Sequence, residues 1–319
     1  MKVSVTIPVL NEEANIAGLC EAIGRELSGA SADYEILFVD DGSSDGTVSR
    51  VAEQNRRDPR VKLLSLSRNF GHQVALTAGM DHASGDAVIV MDGDMQHPPS
   101  LLPDLVAKWQ EGYDIVYTIR VATERVGPLK RWTAALFYRI FRWLSGVDLP
   151  ANAADFRLLD RKVVDAFRRI RERTRFLRGL TQWAGYRSAA IAFRADPRQG
   201  GRSKYTLRRM LRFAADGVVS FSVKPLYAAI YAGLVLAFLG FVYLLYAAYA
   251  RFVSGDVVPG WTSLIMLFAI VGGIQLFLMG VNGVYVGTIY EEVKQRPLYL
   301  VKSALGLEGA VPSGRPPDA

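Results

Sequence analysis

The chain has 319 residues, half of them hydrophobic, with a net charge of +7 and a single cysteine. One cysteine excludes an internal disulfide framework and suits a reducing compartment. The mean hydropathy is positive, which is unusual for a soluble protein, and the length allows two domains or one domain with an appendage. The first residues run directly into a strand pattern, so we expect no secretory signal.

The charge is distributed very unevenly along the chain. Residues 1–118 have a net charge of −9, residues 119–224 one of +16, and residues 225–319 none. A block this basic suits nucleic acid or anionic lipid. Because it directly precedes an apolar region, we expect lipid as its partner and no nucleic acid.

The first 118 residues alternate apolar runs with helical segments. Strands are predicted at Val3–Pro8, Tyr34–Asp40, Val61–Leu66, Ala87–Met91 and Asp114–Thr118. Helices are predicted at Glu12–Leu27, with Asn11 as its cap, and at Thr47–Arg57, Gly71–Ala83 and Ser100–Glu111. Repeated βα units predict an α/β fold with a doubly wound, mostly parallel sheet. No G-x-G-x-x-G follows the first strand, which argues against a dinucleotide fold.

Residues 119–224 lose this rhythm. Leu129–Leu144 has apolar residues at helical spacing with interspersed arginines and lysines, and Leu207–Val219 resembles it. Such amphipathic helices suit a membrane interface, although packing on the protein's own domain would give the same pattern. The arginines at 157, 168, 169, 171, 173 and 175 are expected on a solvated face.

Two long uncharged runs follow, one of 26 residues between Lys224 and Arg251 and one of 34 between Asp256 and Glu291. At ~1.5 Å per residue, either run as a helix crosses a hydrocarbon core of ~30 Å. Two spans put both chain ends on one side, and the flanking basic residues make that side cytoplasmic. Two buried soluble helices are the disfavoured alternative.

These patterns divide the chain into three parts. Residues 1–224 form a cytoplasmic domain, with an acidic α/β part at 1–118 and a basic, membrane-interface part at 119–224. Residues 225–307 form a two-span hairpin with a cytoplasmic segment, and residues 308–319 a disordered tail. We expect an inner-membrane protein with both termini in the cytoplasm.

The most informative motif is the acid pair that ends the fourth strand. Asp92 and Asp94 are one residue apart, so both can point to one side, and Gly93 lets a ligand approach. Neighbouring carboxylates repel unless a cation lies between them, and oxygen ligands suit Mg²⁺ or Mn²⁺. A lone Asp-x-Asp is more often a solvated turn.

Three further polar loops follow the other strands, which makes a chance arrangement hard to accept. They are Pro8–Glu13, Asp40–Ser43 and Arg68–Gln73, and Gln96–Pro99 follows the acid pair. All would lie on the carboxyl edge of one sheet, where open α/β sheets bind ligands. His72 and His97 in these loops lack the spacing of metal ligands and are interpreted as hydrogen-bonding residues.

Together these motifs resemble the family 2 glycosyltransferases with the GT-A fold. The resemblance extends through Ala154–Leu159, then Arg198 with Gly201–Tyr205, the two spans and Ile289–Pro297. This set is similar to the polyisoprenyl-phosphate glycosyltransferases, a group that includes dolichol-phosphate mannose synthases and bacterial undecaprenyl-phosphate glucosyltransferases. It covers residues 1 to about 305 and implies that 1–224 is a catalytic domain, with a nucleotide-binding part at 1–118 and an acceptor part at 119–224.

The resemblance implies roles for individual residues. The nucleoside pocket would be lined by Pro8, Asn11, Glu12, Asp40 and Asp41. Asp41 would read the base edge, and Asp92 would approach the ribose or the metal. Asp94 and Gln96 would hold Mg²⁺ or Mn²⁺ on the diphosphate. Asp155 would lie near the transferred sugar. The phosphates would be held by Arg198, Arg202 and Lys204.

The predicted reaction is inverting transfer of one sugar from a nucleotide-sugar donor, UDP-glucose first, to polyprenyl phosphate. GDP-mannose is the alternative donor. A processive polysaccharide synthase would need more spans and a Gln-x-x-Arg-Trp motif, and a non-catalytic scaffold or flippase would not need the acid pair. A lipid phosphate is mostly dianionic at pH 7, so we favour positioning or charge stabilisation as the role of Asp155 and keep general base as the alternative. We also expect a homo-oligomer, for instance a tetramer.

Overall fold

A computed structural model of the chain describes residues 1–29, 33–121, 139, 143, 153–173, 175–194, 222–249 and 260–307. Its strands are β1 Lys2–Val9, β2 Asp33–Asp40, β3 Val61–Leu66, β4 Ala87–Val90, β5 Ile115–Arg120, β6 Ala153–Asp160, β7 Ser188–Phe193 and β8 Val301–Leu305. Its helices are α1 Ile16–Gly29, α2 Thr47–Arg57, α3 His72–His82, α4 Leu102–Gln110, α5 Arg161–Arg169, α6 Leu177–Trp183, α7 Lys224–Tyr249 and α8 Trp261–Val293. The 3₁₀ turn Pro99–Leu101 leads into α4.

The eight strands form one sheet in the order β7-β5-β6-β4-β1-β2-β3-β8. The pairs β1–β2, β1–β4, β2–β3 and β5–β7 are parallel. β6 runs antiparallel to both of its neighbours, and β8 runs antiparallel to β3. The predicted α/β class and mostly parallel sheet are confirmed, with three antiparallel pairings added by β6 and β8.

Alternation along the strands explains why helices cover both faces of the sheet. Ile36 and Phe38 belong to a core cluster with α1 and α4, whereas Leu37 and Val39 pack with α3 on the other face. A strand segment buried on both faces reads as a continuous apolar run, as residues 36–39 of β2 do. The doubly wound arrangement therefore follows from the sequence.

Two expectations about local structure are wrong. The first helix begins at Ile16 rather than Glu12, and Asn11 does not cap it. Asn11 has φ of +57° and its Oδ1 accepts from the Ser44 amide at 2.8 Å, so it joins two loops. The predicted loss of the strand–helix rhythm in residues 119–224 is also wrong in part, because β6 and β7 of this segment extend the sheet. The helices predicted at 129–144 and 207–219 and the tail at 308–319 lie outside the described residues.

The helices α7 and α8 are long and apolar enough to cross a membrane. Their most hydrophobic windows, Lys224–Tyr243 and Ile270–Val293, have mean hydropathies of 2.0 and 1.5, and neither window is buried by the rest of the protein. After α8 the chain returns to the sheet: the Tyr299 hydroxyl donates to Asp81 at 2.9 Å, and β8 pairs with β3. The carboxyl-terminal end of α8 is therefore tied back to the sheet.

Candidate active site

The acid pair lies in a tight turn at the end of β4. The Asp92 amide donates to His97 Nδ1 at 2.9 Å, and the Gln96 amide donates to Asp94 Oδ1 at 3.1 Å. Met95 adopts a left-handed φ of +61° to close the turn. Gly93 packs on β1, since a Cβ there would lie 3.0 Å from Val9 Cγ1. The turn is thus folded on itself and carries both carboxylates at the carboxyl edge of the sheet.

The buried side chain of His97 supports this turn. Its ring is 6 % exposed and stacks on Phe156 with a centroid distance of 5.1 Å. Burial lowers the pKa of His97 and outweighs the nearby carboxylates, Asp92 foremost, that act to raise it. A neutral ring that accepts at Nδ1 carries its proton on Nε2, which lies 3.6 Å from Asp92 Oδ2. His97 is therefore a hydrogen-bonding residue, as interpreted from the sequence.

The loops after β1 and β2 interlock. The Asn11 amide donates to Ser43 Oγ at 2.9 Å, and the Glu12 amide donates to Thr47 Oγ1 at 2.9 Å. The Asp40 carboxylate accepts from the Ser43 amide at 2.9 Å. Pro8, whose carbonyl lies close to Gly93, connects these loops to the acid pair. The nucleoside-pocket residues predicted from the resemblance therefore share one edge of the sheet.

Asp41 has a structural partner that the sequence did not reveal. It is 4 % exposed, and its two oxygens accept from the Phe70 amide at 2.7 Å and the Gly71 amide at 2.9 Å. Burial raises the pKa of Asp41 although both amides favour its charged form. Asp41 therefore fixes the loop after β3, and any base contact must use its remaining lone pairs.

Gly42 makes this arrangement testable. Its φ is +82°, and a Cβ there would lie 2.8 Å from the Asn69 nitrogen and 2.9 Å from the Arg68 carbonyl carbon. We expect Gly42→Ala to destabilise the protein by about 2 kcal/mol, because backbone atoms cannot move aside and the φ is strained. Thermal unfolding in detergent would measure this loss.

Gly18→Ala is the matched control for that change. Gly18 lies in α1 with no atom near the added Cβ, and alanine favours a helix by up to about 1 kcal/mol. Its melting temperature should stay level or rise. A Gly42→Ala variant as stable as Gly18→Ala would show that the loops after β2 and β3 do not pack against each other as described.

A second charged cluster lies next to the acid pair. Asp155 on β6 is 7 % exposed and accepts from Arg178 Nε at 2.8 Å and Arg178 Nη2 at 2.9 Å. Arg157 Nη2 lies 3.6 Å from the same carboxylate. Burial opposes ionisation, but His72, Arg178 and Arg157 together hold the pKa of Asp155 well below its usual range. Asp155 is therefore a carboxylate that stays ionised.

His72 joins the two clusters. Its Nε2 lies 3.4 Å from Asp92 Oδ1 and 3.7 Å from Asp155 Oδ2. Partial desolvation opposes protonation, yet hydrogen bonding to Asp155 and the charge of Asp92 raise the pKa of His72. The register Val90↔Arg157 between β4 and β6, continued by two residues, sets Asp92 opposite Asp155. The acid pair and Asp155 thus face one site.

Sequence reasoning missed Arg178 and misjudged two other arginines. The sequence predicts His72 as a hydrogen-bonding loop residue but does not place it between Asp92 and Asp155, and Arg178 carries no signal within an arginine-rich stretch. The solvated face predicted for the arginines is wrong for Arg157 and Arg175, which are 3 % and 7 % exposed. Arg175 donates to the Ile170 carbonyl at 2.8 Å near the end of α5, where helical carbonyls lack partners.

The other predicted phosphate ligands, Arg198, Arg202 and Lys204, lie outside the described residues. Among the described residues, no group of three or more His, Cys, Asp or Glu side chains forms a preformed metal cage. Asp92 Oδ1 is nevertheless buried and accepts no hydrogen bond. Mg²⁺ and similar ions commonly bind one or two carboxylates together with substrate phosphates, so the Asp92 and Asp94 oxygens fit such an ion.

The fold and the site place the chain among α/β enzymes whose active site lies at the carboxyl edge of a sheet. Comparison with known proteins defines the family. A family model described as "Glycosyl transferase family 2" matches residues 4–168, and the chain belongs to this family. It is a glycosyltransferase.

Relatives match nearly the whole chain. An uncharacterized glycosyltransferase, YkcC, of Bacillus subtilis is 42% identical over 305 residues, covering 96% of this chain and 94% of the relative. The SfII prophage-derived bactoprenol glucosyl transferase of Shigella flexneri is 38% identical over 304 residues, covering 95% and 98%. The crystal structure of S. aureus TarS 1-349 with UDP-GlcNAc is 18% identical with a TM-score of 0.48, covering 70% and 68%.

Proposed function

We propose that the protein transfers one glucose, with inversion, from UDP-glucose to polyprenyl phosphate at the cytoplasmic face of the inner membrane. The observation that carries this is a family 2 site beside two apolar helices in a chain that matches a bactoprenol glucosyl transferase over 95% of its length. A lipid acceptor explains why a glycosyltransferase needs such helices.

The donor side of the site uses the loops already described. Pro8, Asn11, Glu12, Asp40 and Asp41 line the nucleoside pocket, and Asp92 approaches the ribose or the ion. Asp92, Asp94 and Gln96 would hold Mg²⁺ or Mn²⁺. Such an ion supplies charge neutralisation to the leaving diphosphate.

On the acceptor side, a phosphate oxygen of the lipid attacks the anomeric carbon. A carbon–oxygen bond forms, the bond from that carbon to the diphosphate breaks, and its electron pair leaves with UDP. The acceptor's second pKa is near ~6, so it needs no proton removed at pH 7. Asp155, with its lowered pKa, is a weak base and is suited to stabilising positive charge on the sugar.

The basic segment 119–224 contains the cations that offset the charge of two phosphate groups brought together. By the sequence resemblance, Arg198, Arg202 and Lys204 bind these phosphates. The cytoplasmic orientation is supported by the return of the chain from α8 to β8 and by Lys294, Arg296 and Lys302 beyond α8. A homo-oligomer, for instance a tetramer, remains part of the proposal.

Membranes containing the protein test the reaction directly. With undecaprenyl phosphate and a panel of labelled sugar nucleotides, we expect a glucosyl lipid from UDP-glucose and no product from GDP-mannose. Product from GDP-mannose alone would assign the mannosyl alternative. No glycolipid from any donor would contradict the proposal.

Removal of divalent ions tests the assignment of the acids. We expect EDTA to abolish transfer and added Mg²⁺ or Mn²⁺ to restore it, because the carboxylates and the diphosphate are all anionic and repel one another unless a cation lies between them. The measurement is the glycolipid formed per minute with and without chelator. Turnover that survives complete chelation would exclude metal binding as the role of Asp92 and Asp94.

A further inference from the structure

The Asp155–Arg178 ion pair extends the site beyond the acid pair. The Leu177 amide donates to Gln73 Oε1 at 3.3 Å, which holds the start of α6 against the start of α3. Arg178 is thereby fixed on the Asp155 side of His72, whereas Asp92 lies on the other side. The acid pair and Arg178 therefore flank His72 and Asp155.

The two arginines that pair with Asp155 differ in what they can reach. Arg157 is buried, and its guanidinium donates to Thr181 Oγ1 at 2.8 Å and to the Ala154 carbonyl at 2.7 Å. The Arg178 side chain is 34% exposed. A guanidinium carries five N–H donors in a planar fork and can hold a carboxylate on one edge and a phosphate on another. Arg178 is thus the partner of Asp155 that an arriving anion can contact.

The segment that leads to Arg178 comes from the membrane side of the domain. The Arg173 amide donates to Glu292 Oε1 at 2.5 Å, next to the end of α8. Five residues of chain reach at most about 18 Å, so Arg178 lies within that distance of Arg173. An acceptor phosphate that enters from the bilayer beside the end of α8 therefore has Arg178 within that reach.

Charge makes a cation at this point necessary. The acceptor phosphate is anionic, and Asp155 is a buried carboxylate, so the two repel each other unless a cation lies between them. We propose that Arg178 binds the phosphate of the polyprenyl phosphate acceptor and that Asp155 orients its guanidinium. This inference rests on the proposed function and adds a substrate-binding residue to it.

Kinetics of the full chain in membranes test this role through the two substrates separately. We expect Arg178→Gln to raise KM for undecaprenyl phosphate by about 10- to 100-fold, the effect of losing hydrogen bonds to a charged group, and to leave KM for UDP-glucose within about twofold. Arg178→Lys keeps the cation but not the fork, and should recover part of the acceptor affinity. Arg169→Gln, at an exposed arginine of the same basic segment, is the matched control and should change neither KM.

Arg178→Gln leaves Asp155 with fewer partners and could misfold. The double variant Asp155→Asn, Arg178→Gln removes both charges, and UDP binding shows whether it is folded. A folded variant of either kind with wild-type acceptor KM would overturn the inference, as would a rise in donor KM alone. Wild-type protein that makes no glucosyl lipid would instead contradict the proposed function.

Discussion

Replacing Asp94 with asparagine is expected to lower glucosyl transfer by about a thousandfold while the protein still folds and inserts into membranes. In the wild-type protein the Gln96 amide donates a hydrogen bond to Asp94 Oδ1 at 3.1 Å. The side-chain oxygen of asparagine can accept the same hydrogen bond, so the turn is preserved and only the charge is lost. Charge stabilisation by a bound metal ion is worth several kcal/mol in the transition state, and each 1.36 kcal/mol is tenfold in rate.

The matched control for Asp94→Asn is Asp104→Asn. Asp104 is exposed in the first turn of α4 and gives the same change in net charge. Glycolipid formation should vanish only in Asp94→Asn, and both variants should resist carbonate extraction from membranes. Substantial transfer by Asp94→Asn would show that the acid pair does not hold the ion, whereas loss of membrane insertion would point to misfolding.

The nucleotide-binding half of the sheet could be predicted because its signals are local. Each strand up to Thr118 contains a mainly apolar run, and the first four are followed by loops with turn-forming residues. The start of the first helix, predicted at Glu12 with Asn11 as its cap, is the exception. Glu12 and Glu13 look like first-turn acids, but their amides bind Thr47 and Asp45 instead, which no local pattern reveals.

The strands β6, β7 and β8 could not be predicted because long-range pairing decides them. β6 carries Asp155 and Arg157, which interrupt its apolar pattern and neutralise each other only in the folded protein. β7 is an edge strand with three alanines. β8 pairs with β3, which lies more than 230 residues earlier in the chain. Periodicity in one segment says nothing about such partners.

The site residues divide in the same way, into those with local signals and those placed by long-range packing. Residues directly after strands, such as Asp92 and Asp94, could be placed because parallel strands share a carboxyl edge. Arg178 is 23 residues from its partner Asp155, and only the packing of α6 against α3 brings the two together. The arginine-rich stretch from 157 to 178 gave no sign of which residues are buried, because spacing alone does not distinguish an exposed arginine from Arg157.

The largest expected effect on stability is at Glu35, which lies near the amino end of β2, at the edge of the sheet opposite the acid pair. This carboxylate is 1 % exposed and accepts from Ser4 Oγ at 2.5 Å, the Ser84 amide at 2.7 Å and Lys62 Nζ at 2.8 Å. Lys2 Nζ lies 2.9 Å away. We expect Glu35→Ala to destabilise the protein by about 3 kcal/mol, the low end for breaking a buried pair, because both lysines remain partly solvated.

Thermal unfolding in detergent measures this loss. For a domain of this size it corresponds to a fall in melting temperature of roughly 6–12 °C, while transfer per folded molecule should be unchanged because Glu35 is remote from the acid pair. Glu21→Ala is the control, since Glu21 is 78% exposed in α1 and pairs only at the surface with Arg25. Glu21→Ala should lower the free energy of unfolding by at most about 0.5 kcal/mol.

The pH dependence separates the charge of Glu35 from its packing. Burial opposes ionisation, but hydrogen bonds from Lys62, Ser4, Ser84 and Lys2 lower the pKa of Glu35 from 4.5 to about 2. As the pH falls, Glu35 therefore takes up a proton at a higher pH in the unfolded chain than in the folded protein. The stabilisation is fully present above pH 4.5 and is lost between there and about pH 2. Wild-type and Glu35→Ala melting temperatures should converge over this range, and a constant gap between them would show that lost packing rather than charge explains the effect.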